Sequence, residues 1–357
     1  MPPDEAIPPA PSSARVPILD AIRGLAALSV CLYHFTYGNP DPHPDPWVTA
    51  VGSFGRHGVD AFFVVSGFVI PFALEQGGYR VRDFWRFLAK RIIRIDPPFF
   101  LSMVVALAVW WLATHAPSYH GIPFALDWTQ IALHAGYLTA IAGKKWILSV
   151  YWTLAIEFQF YLTIALLYPV LRRGSPVIFW SIIAVASALT LTMHDIKFLP
   201  TYGAWFAVGI VTWQHYQRRV GRAPFLVALA VCCTLIWFAE APAAAIAVAL
   251  TAFAIVTLKG SHPMLDWLGA RSYSLYLIHV PIAGRVVNLA TRLPWRGFWV
   301  AIAVTAVATA VALIAATIFY HVVERPSRRL AGRIRYRASR IPVSAPLAVS
   351  PAVAPTT

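Results

Sequence analysis

The stretch LDAIRGLAALSVCLYHF, residues 19–35, is apolar apart from Asp20 at its start and two basic side chains, Arg23 and His34. An apolar run of about 20 residues is long enough to cross the hydrocarbon core of a bilayer as a helix. We interpret 18–37 as a retained membrane helix, because it contains Arg23 and lacks the small-residue cleavage site of a signal peptide. Charged side chains inside such a helix are costly and by default indicate function.

The rest of the chain has the same apolar character. Of 357 residues, 59% are hydrophobic and only 12% are charged, roughly half the share of about 25% in soluble proteins. The mean hydropathy of +0.64 argues against a disordered chain or a soluble domain. We predict an all-α, polytopic membrane bundle with about ten spans, at 18–37, 57–75, 97–115, 147–171, 176–193, 198–215, 224–240, 242–258, 268–290 and 298–320. The run 128–142 is short for a span and is typical of a re-entrant or interfacial segment.

Outside the spans, we predict a proline-rich disordered tail at 1–16 and one transmembrane domain at 17–330. A second tail, 331–357, is basic and then rich in Pro and Ala. No soluble domain follows the tenth span, so we expect the membrane part, or a separate partner, to complete any reaction. The three cysteines lie inside apolar runs and show neither a disulfide framework nor metal-ligand spacing, so we predict no metal site.

The basic residues set the orientation of the bundle. With both termini in the cytoplasm, ten spans place roughly three quarters of the 29 Lys and Arg on inner loops and inner helix ends. A further span at 128–142 would reverse every later loop. This topology also accounts for the net charge of +14 better than a nucleic-acid ligand does, so no nucleic acid is expected.

Arg23 and His34 lie on one face of the first helix. Eleven residues at about 100° each bring the two side chains to within about 20° of each other. At about 1.5 Å per residue, they are some 16 Å apart along the axis. One stripe thus carries a fixed cation near the inner end and a titratable base near the outer end. The alternative is a snorkelling arginine and an interfacial histidine.

Two other segments carry polar groups of interest. In HGVDAFFVVSGFVI, Asp60 lies at a depth similar to that of His34 and could orient its imidazole, although it could also be a first-turn acid. Ser66 is mid-span, where small residues also allow close helix packing. In the basic stretch before the third span, Arg91 and Arg94 are one turn apart and can face one anion. The alternative is an anchor to lipid headgroups.

Two later spans also contain buried ionisable groups. Glu157 in YWTLAIEFQFYL lies about ten residues deep and needs a partner or a water-filled cavity, with Trp152 close by in the chain. His279 in RSYSLYLIHVPI is near mid-depth and could equally be a satisfied core residue.

Taken in order, six segments resemble the acyltransferase-3 family of bacterial membrane proteins. They are LDAIRGLAALSVCLYHF (19–35), GVDAFFVVSGFVI (58–70), RFLAKRIIRIDPP (86–98), YWTLAIEFQFYL (151–162), RSYSLYLIHVPI (271–282) and HVVERPSRR (321–329). The resemblance implies a multi-pass protein of the bacterial inner membrane, in which both the lipid bilayer and acyl-CoA are partners. It would move an acyl group, commonly acetyl, from cytoplasmic acyl-CoA to a hydroxyl of an envelope carbohydrate, such as lipopolysaccharide, or a related acceptor. Acyl-CoA is then a co-substrate, and no cofactor is bound permanently.

By motif match, the family's functional residues fall on Arg23, His34, Arg91, Arg94 and Glu157. Asp96, which follows the arginine pair, departs from the family pattern and could offset part of the positive charge. The candidate site is therefore His34, Glu157 and Asp60 as catalytic residues, with Arg23, Arg91, Arg94, Ser66, Trp152 and His279 as residues that bind acyl-CoA or acceptor.

We expect Arg91 and Arg94 to hold the phosphates of acyl-CoA, and Arg23 to line the channel for its pantetheine arm. His34 would act either as general base on the acceptor hydroxyl or as a transient acyl carrier; the sequence leaves both open. Glu157 could position the acceptor or balance a cation. A different function class, a proton-coupled transporter or exporter, also fits buried Arg, His and Glu, but we find no internal repeat of the kind transporters show. A purely structural scaffold would leave Glu157 and the arginine pair without a role.

Overall fold

The structure, a computed structural model, describes residues 16–38, 45–116 and 121–336, and this part of the chain is helical without strands. The helices are α1 (Pro17–Thr36), α2 (Pro46–Ser53), α3 (Gly58–Gln76), α4 (Phe84–Thr114), α5 (Trp128–Ala135), α6 (Trp152–Arg173) and α7 (Pro176–Thr192). They continue with α8 (Gly203–Tyr216), α9 (Arg222–Ala239), α10 (Pro242–Thr257), α11 (Pro263–Ile278), α12 (Gly284–Ala290), α13 (Phe298–Phe319) and α14 (Arg325–Gly332).

Six helical stretches in the described residues are long and apolar enough to cross a membrane. They are Pro17–Thr36, Pro46–Gln76, Val81–Thr114, Ser149–Arg173, Arg222–Ala239 and Phe298–Gly332. The apolar helices α7 and α10 are slightly shorter, and α8 has only 14 residues. A helix lies within each of the ten predicted spans, but six reach spanning length, so the chain is a multi-pass membrane protein whose number of crossings stays a prediction. The run 128–142 forms only the eight-residue α5.

The predicted tails lie almost wholly outside the described residues. At the C-terminal boundary, the chain continues in helix to Gly332, and the ring of Tyr336 packs edge-on against Tyr79 at 5.5 Å between centroids. Residues 331–336 thus lie against the helical bundle, and the predicted domain bounds stay a prediction.

The basic stretch before the third span differs from our expectation. We began the third span at residue 97 and placed Arg91 and Arg94 before it, but α4 is one helix that includes both arginines and passes through Pro97 and Pro98. Proline removes a backbone donor and disfavours the helix interior. Neighbouring helices stabilise such positions in membrane bundles, and here Tyr273 of α11 donates a hydrogen bond to the Ile95 carbonyl at 2.9 Å, which ties α4 to α11 beside the two prolines. The arginine pair is thus fixed on a rigid helix.

Paired glycines set the two closest helix crossings that position the site. Helices α1 and α11 meet at Gly24 and Gly269, where a Cβ on Gly24 would lie 2.8 Å from the Gly269 nitrogen. Helices α3 and α8 meet at Gly67 and Gly209 in the same manner. Small residues let helix backbones approach closely in membranes, so both pairs fix the relative height of the helices they join.

A polar cluster closes the end of the bundle where α3 stops. The Glu75 carboxylate accepts hydrogen bonds from Arg172, Arg219, Trp213 and Gln217. These donors lie on α6, on α8 and just after α8, so the cluster joins three helices next to the candidate site.

Candidate active site

Two cavities lie inside the bundle, and the predicted residues are divided between them. The first, here called the arginine cavity, has a volume of about 150 Å³. The second, here called the histidine cavity, has a volume of about 640 Å³. Of the predicted residues, Arg23, Arg91, Arg94, Ser66 and Glu157 line the arginine cavity, whereas His34, Asp60 and Trp152 line the histidine cavity.

Three guanidinium groups converge on the arginine cavity from two helices. Arg23 is on α1, and Arg91 and Arg94 are one turn apart on α4. Within the described residues, none of the three forms an ion pair. The Arg91 guanidinium is held by aromatic faces, with its carbon 5.0 Å from the ring centre of Tyr161. Arginines that line a cavity without an ion-pair partner are suited to a polyanion such as a phosphate group.

Glu157 lies in the arginine cavity, so it is well placed to balance these cations and not to contact an acceptor beside His34. Its Oε1 accepts a hydrogen bond of 3.0 Å from Ser66 of α3. Asp96 does not pair with the neighbouring arginines; it accepts a 2.8 Å hydrogen bond from the Tyr137 hydroxyl. The carboxylate of Asp96 is thus bonded to Tyr137 and does not neutralise Arg91 or Arg94. The positive charges of these two arginines remain available to a ligand.

Glu324 is a wall residue of the arginine cavity that we did not include in the candidate site. It is 2% exposed and accepts hydrogen bonds from the backbone N–H and the hydroxyl of Ser274, at 3.1 and 2.5 Å. It ends a π-helical turn, Tyr320–Glu324, a feature frequent at functional sites. The sequence signal for it was the acid within HVVERPSRR, next to several arginines; in the structure its Oε1 lies 3.7 Å from the Arg328 guanidinium.

The histidine cavity is lined by aromatic and polar side chains around His34. Trp152 packs against Tyr202 with ring centres 5.5 Å apart, and Tyr202 lies 5.9 Å from Trp205 in an edge-on contact. All three line the cavity. Trp205 and Tyr202 gave no signal in the sequence, because they lie in or beside the apolar α8, which has no charged residue.

Asp60 does not contact His34, contrary to our expectation. Its Oδ2 is 2.7 Å from Nδ1 of His57, and its Oδ1 accepts a 2.8 Å hydrogen bond from the Trp205 indole. Both carboxylate oxygens of Asp60 therefore have other partners, and Asp60 does not orient the His34 ring.

The His34 ring lies beside that of His279. The His279 Nε2 atom is 3.3 Å from Nδ1 of His34. His279 is fully buried and lines neither cavity. We expected His279 to bind a substrate directly, and its position does not fit that role. It begins a second π-helical turn, His279–Ala283, which contains Pro281.

The two cavities share three wall residues, Val59, Phe63 and Tyr276. Val59 and Phe63 are one turn apart on α3, and Tyr276 is on α11. The Tyr276 hydroxyl is fixed by a hydrogen bond of 3.0 Å to the Val150 carbonyl and lies 2.7 Å from the Thr153 hydroxyl. We call these three side chains the constriction, because they lie between the arginines and His34.

Glu240 lies at the rim of the histidine cavity, in the connection between α9 and α10. Partial burial and the negative charge of Asp60 raise the pKa of Glu240 to about 7. The possible ligand atoms of His57, Asp60 and Glu240 lie within 4.8 Å of one another. Arg56 donates to His57 Nε2 at 3.4 Å, and its positive charge opposes a cation there, so we assign no metal to this group.

Comparison with known proteins decides the family. The acyltransferase domain of the acyltransferase-3 family matches residues 16–321. The chain belongs to the acyltransferase-3 family. The resemblance found in the six sequence segments is thereby confirmed, and every wall residue of the two cavities except Glu324 lies within the matched range. No solved structure matches the chain.

Relatives of this acyltransferase-3 protein include enzymes named for O-acetyl transfer. A protein of Staphylococcus aureus (strain COL), named as an O-acetyltransferase, is 25% identical over 92% of the chain, and the match covers 60% of that relative's length. The acyltransferase MdmB of Streptomyces mycarofaciens is 26% identical over 91% of the chain and 95% of its own length. YrhL of Bacillus subtilis (strain 168), named as a peptidoglycan O-acetyltransferase, is 25% identical over 88% of the chain and 55% of its own length.

Proposed function

We propose that this protein is a membrane O-acyltransferase that takes an acyl group, in the first instance acetyl, from acyl-CoA and esterifies a hydroxyl of a cell-envelope carbohydrate or similar acceptor. The observation that carries the proposal is the pair of cavities that meet at one constriction, with a cluster of free arginines on one side and His34 on the other. The names of the relatives support acetyl as the acyl group and a hydroxyl as the acceptor.

In this proposal, the arginine cavity holds the phosphates of acyl-CoA on the cytoplasmic side of the bacterial inner membrane. The excess of Lys and Arg on the loops at that end favours this orientation. The pantetheine arm then extends past Val59, Phe63 and Tyr276. Arg23 and His34, at the two ends of this path, are eleven residues apart on α1, about 16 Å along the axis, which is comparable to the reach of the arm.

The chemistry assigned to His34 is general base catalysis. Its imidazole removes the proton of the acceptor hydroxyl while the oxygen attacks the thioester carbonyl carbon. The carbon–sulfur bond breaks, the ester forms, and the imidazolium returns the proton to the departing CoA thiolate. General base catalysis of this kind contributes about 10²–10⁴-fold in rate.

The histidine cavity is the proposed acceptor site. Its volume of about 640 Å³ is within the range of about 300–1,000 Å³ that is usual for small-molecule sites. Trp152, Tyr202 and Trp205 give it the apolar faces that sugar rings contact, and Asp60 and Glu240 give it hydrogen-bond acceptors. A carbohydrate or a hydroxylated metabolite fits this lining, whereas the acyltransferase domain match weighs against a proton-coupled carrier.

The test uses purified protein in nanodiscs with radiolabelled acetyl-CoA and no acceptor. We expect the native protein to bind acetyl-CoA and release CoA slowly by hydrolysis. His34→Ala should bind acetyl-CoA but lose hydrolysis, whereas Arg91→Ala/Arg94→Ala should lose binding. The matched control is Arg82→Ala/Arg86→Ala, which removes two exposed arginines outside the cavity. Absence of acetyl-CoA binding by the native protein at millimolar concentration would overturn the proposal.

A further inference from the structure

The hydrogen bonds around His279 define which of its ring nitrogens carries the proton. Nδ1 of His279 lies 3.0 Å from the Leu275 carbonyl oxygen. A carbonyl oxygen can only accept, so this nitrogen must donate. In a neutral imidazole the other nitrogen then has a lone pair, which makes Nε2 of His279 an acceptor towards His34.

The same reasoning fixes the tautomer of His34. Its Nδ1 lies 2.9 Å from the Val30 carbonyl oxygen and 3.3 Å from Nε2 of His279. Both neighbours are acceptors, so Nδ1 of His34 carries the hydrogen, and Nε2 is left unprotonated. Were His279 protonated instead, its Nε2–H would force a lone pair on His34 Nδ1 to face the Val30 carbonyl.

We propose that His279 is the positioning residue for His34. It accepts the Nδ1 hydrogen of His34, holds the ring against α11, and leaves Nε2 of His34 as the basic nitrogen available to the histidine cavity. The catalytic purpose of this arrangement rests on the proposed acyl transfer. The contact between the two histidines does not depend on that proposal. His279 fills the place that a carboxylate occupies beside the histidine of a Ser-His-Asp triad, with a neutral acceptor instead of a charge.

The position of His279 fits this role and no other that we find. It lines neither cavity, so it does not contact a bound substrate. The carboxylate that might have replaced it, Asp60, already accepts from Trp205 and contacts His57 with its other oxygen. When His34 takes up the acceptor proton at Nε2, its Nδ1–H remains bound to His279 and Val30, so the ring keeps its direction through the reaction.

The direct test is the tautomer of His34 in the resting protein. Protein labelled with ¹⁵N-histidine is reconstituted in nanodiscs, and the His34 signals are assigned by their loss in His34→Gln. We expect a protonated Nδ1 and an unprotonated Nε2. A protonated Nε2 with an unprotonated Nδ1 would overturn the inference. The measurement needs no turnover, so its failure is separate from a failure of the proposed acyl transfer.

The second test compares two substitutions of His279. In His279→Gln the amide oxygen can replace Nε2 as acceptor, whereas His279→Leu keeps bulk without an acceptor. We expect His279→Leu to lower kcat for acetyl-CoA hydrolysis about 10–100-fold, a usual effect of losing a supporting hydrogen bond, with KM unchanged, and His279→Gln to recover most of it. His321→Leu, an exposed histidine on the other π-helical turn, is the control. Equal loss in both His279 variants, at equal thermal stability, would contradict a positioning role.

Discussion

The imidazole of His34 faces that of His279 with 3.3 Å between Nδ1 and Nε2, because both histidines lie ten residues beyond the glycine at which their helices cross. Helices α1 and α11 are in contact at Gly24 and Gly269. Residues that follow these glycines by the same number of positions on two parallel helices lie at the same height along the bundle. The closest contact of the two backbones thus determines the meeting of two side chains about 15 Å away.

Removing the Gly269 contact should therefore loosen the bundle. A Cβ at this position would overlap the backbone carbonyl of Asp20, and backbone cannot yield as a side chain can. We expect Gly269→Ala to destabilise the protein by about 1–3 kcal/mol, observed as a lower thermal unfolding midpoint. Gly284→Ala is the control, because a Cβ there meets no atom within 4 Å. Equal midpoints for the two variants would show that the crossing is not tight.

Arg91→Ala/Arg94→Ala should raise the KM for acetyl-CoA. Charge-assisted hydrogen bonds to phosphate are worth about 1.5–3 kcal/mol each, so we expect the loss of two to raise KM about 100-fold or more, with a smaller effect on kcat. Steady-state hydrolysis of acetyl-CoA in nanodiscs gives both constants. Arg82→Ala/Arg86→Ala removes the same charge from the surface and should leave KM near the native value. A similar rise in this control would indicate long-range attraction instead of direct binding.

A larger residue in the constriction should separate binding from transfer. Val59→Phe fills space between the two cavities and keeps both arginines of the pair. We expect acetyl-CoA to bind normally while hydrolysis falls about 100-fold, since displacement of the reacting groups by about 1 Å can have this effect. The control is Val185→Phe on α7, where the valine is exposed. Normal hydrolysis by folded Val59→Phe would mean that the arm does not pass this point.

The stability of the protein should depend on pH through Glu240. Its pKa is raised from an ordinary value of about 4.5 to about 7, so the native state keeps a proton that the unfolded chain loses earlier. The stabilisation is complete below about pH 4.5 and is lost as the pH rises through about 7. We expect the thermal midpoint to fall over this range in the native protein and to fall less in Glu240→Gln. Parallel curves for the two proteins would contradict the raised pKa.

Eight of the nine residues predicted from sequence patterns line one of the two cavities, but the patterns did not identify the partners of these residues. The helical period placed Arg23 and His34 on one face of α1, and both line a cavity on that path. Position along a helix indicates depth, and by depth Asp60 was as good a neighbour for His34 as His279. The neighbour of a side chain depends on how helices that are far apart in sequence rotate and cross. Glycines determine these crossings, but the sequence does not show which glycine of one helix pairs with which glycine of another.

Two local features also lay beyond the patterns. The predicted third span begins at residue 97, yet α4 is continuous from Phe84 through Pro97 and Pro98, where Tyr273 of α11 donates a hydrogen bond to the Ile95 carbonyl. The indole N–H of Trp205 donates a hydrogen bond to Asp60. Trp205 lies in the apolar helix α8, where no charged residue marked it as a candidate site residue. The continuity of α4 and the partner of Asp60 both depend on tertiary contacts, which a short sequence segment does not reveal.

The constriction has a consequence for the cell's energy supply. In the arrangement proposed here, Val59, Phe63 and Tyr276 are the thin partition between a cytoplasmic and an extracytoplasmic compartment that differ in electrical potential. A passage wide enough for a pantetheine arm is also wide enough for water and protons, so each opening would dissipate the proton-motive force. In this arrangement the bound pantetheine arm blocks the passage of protons during turnover. When no acyl-CoA is bound, the constriction itself must stay closed to water and protons.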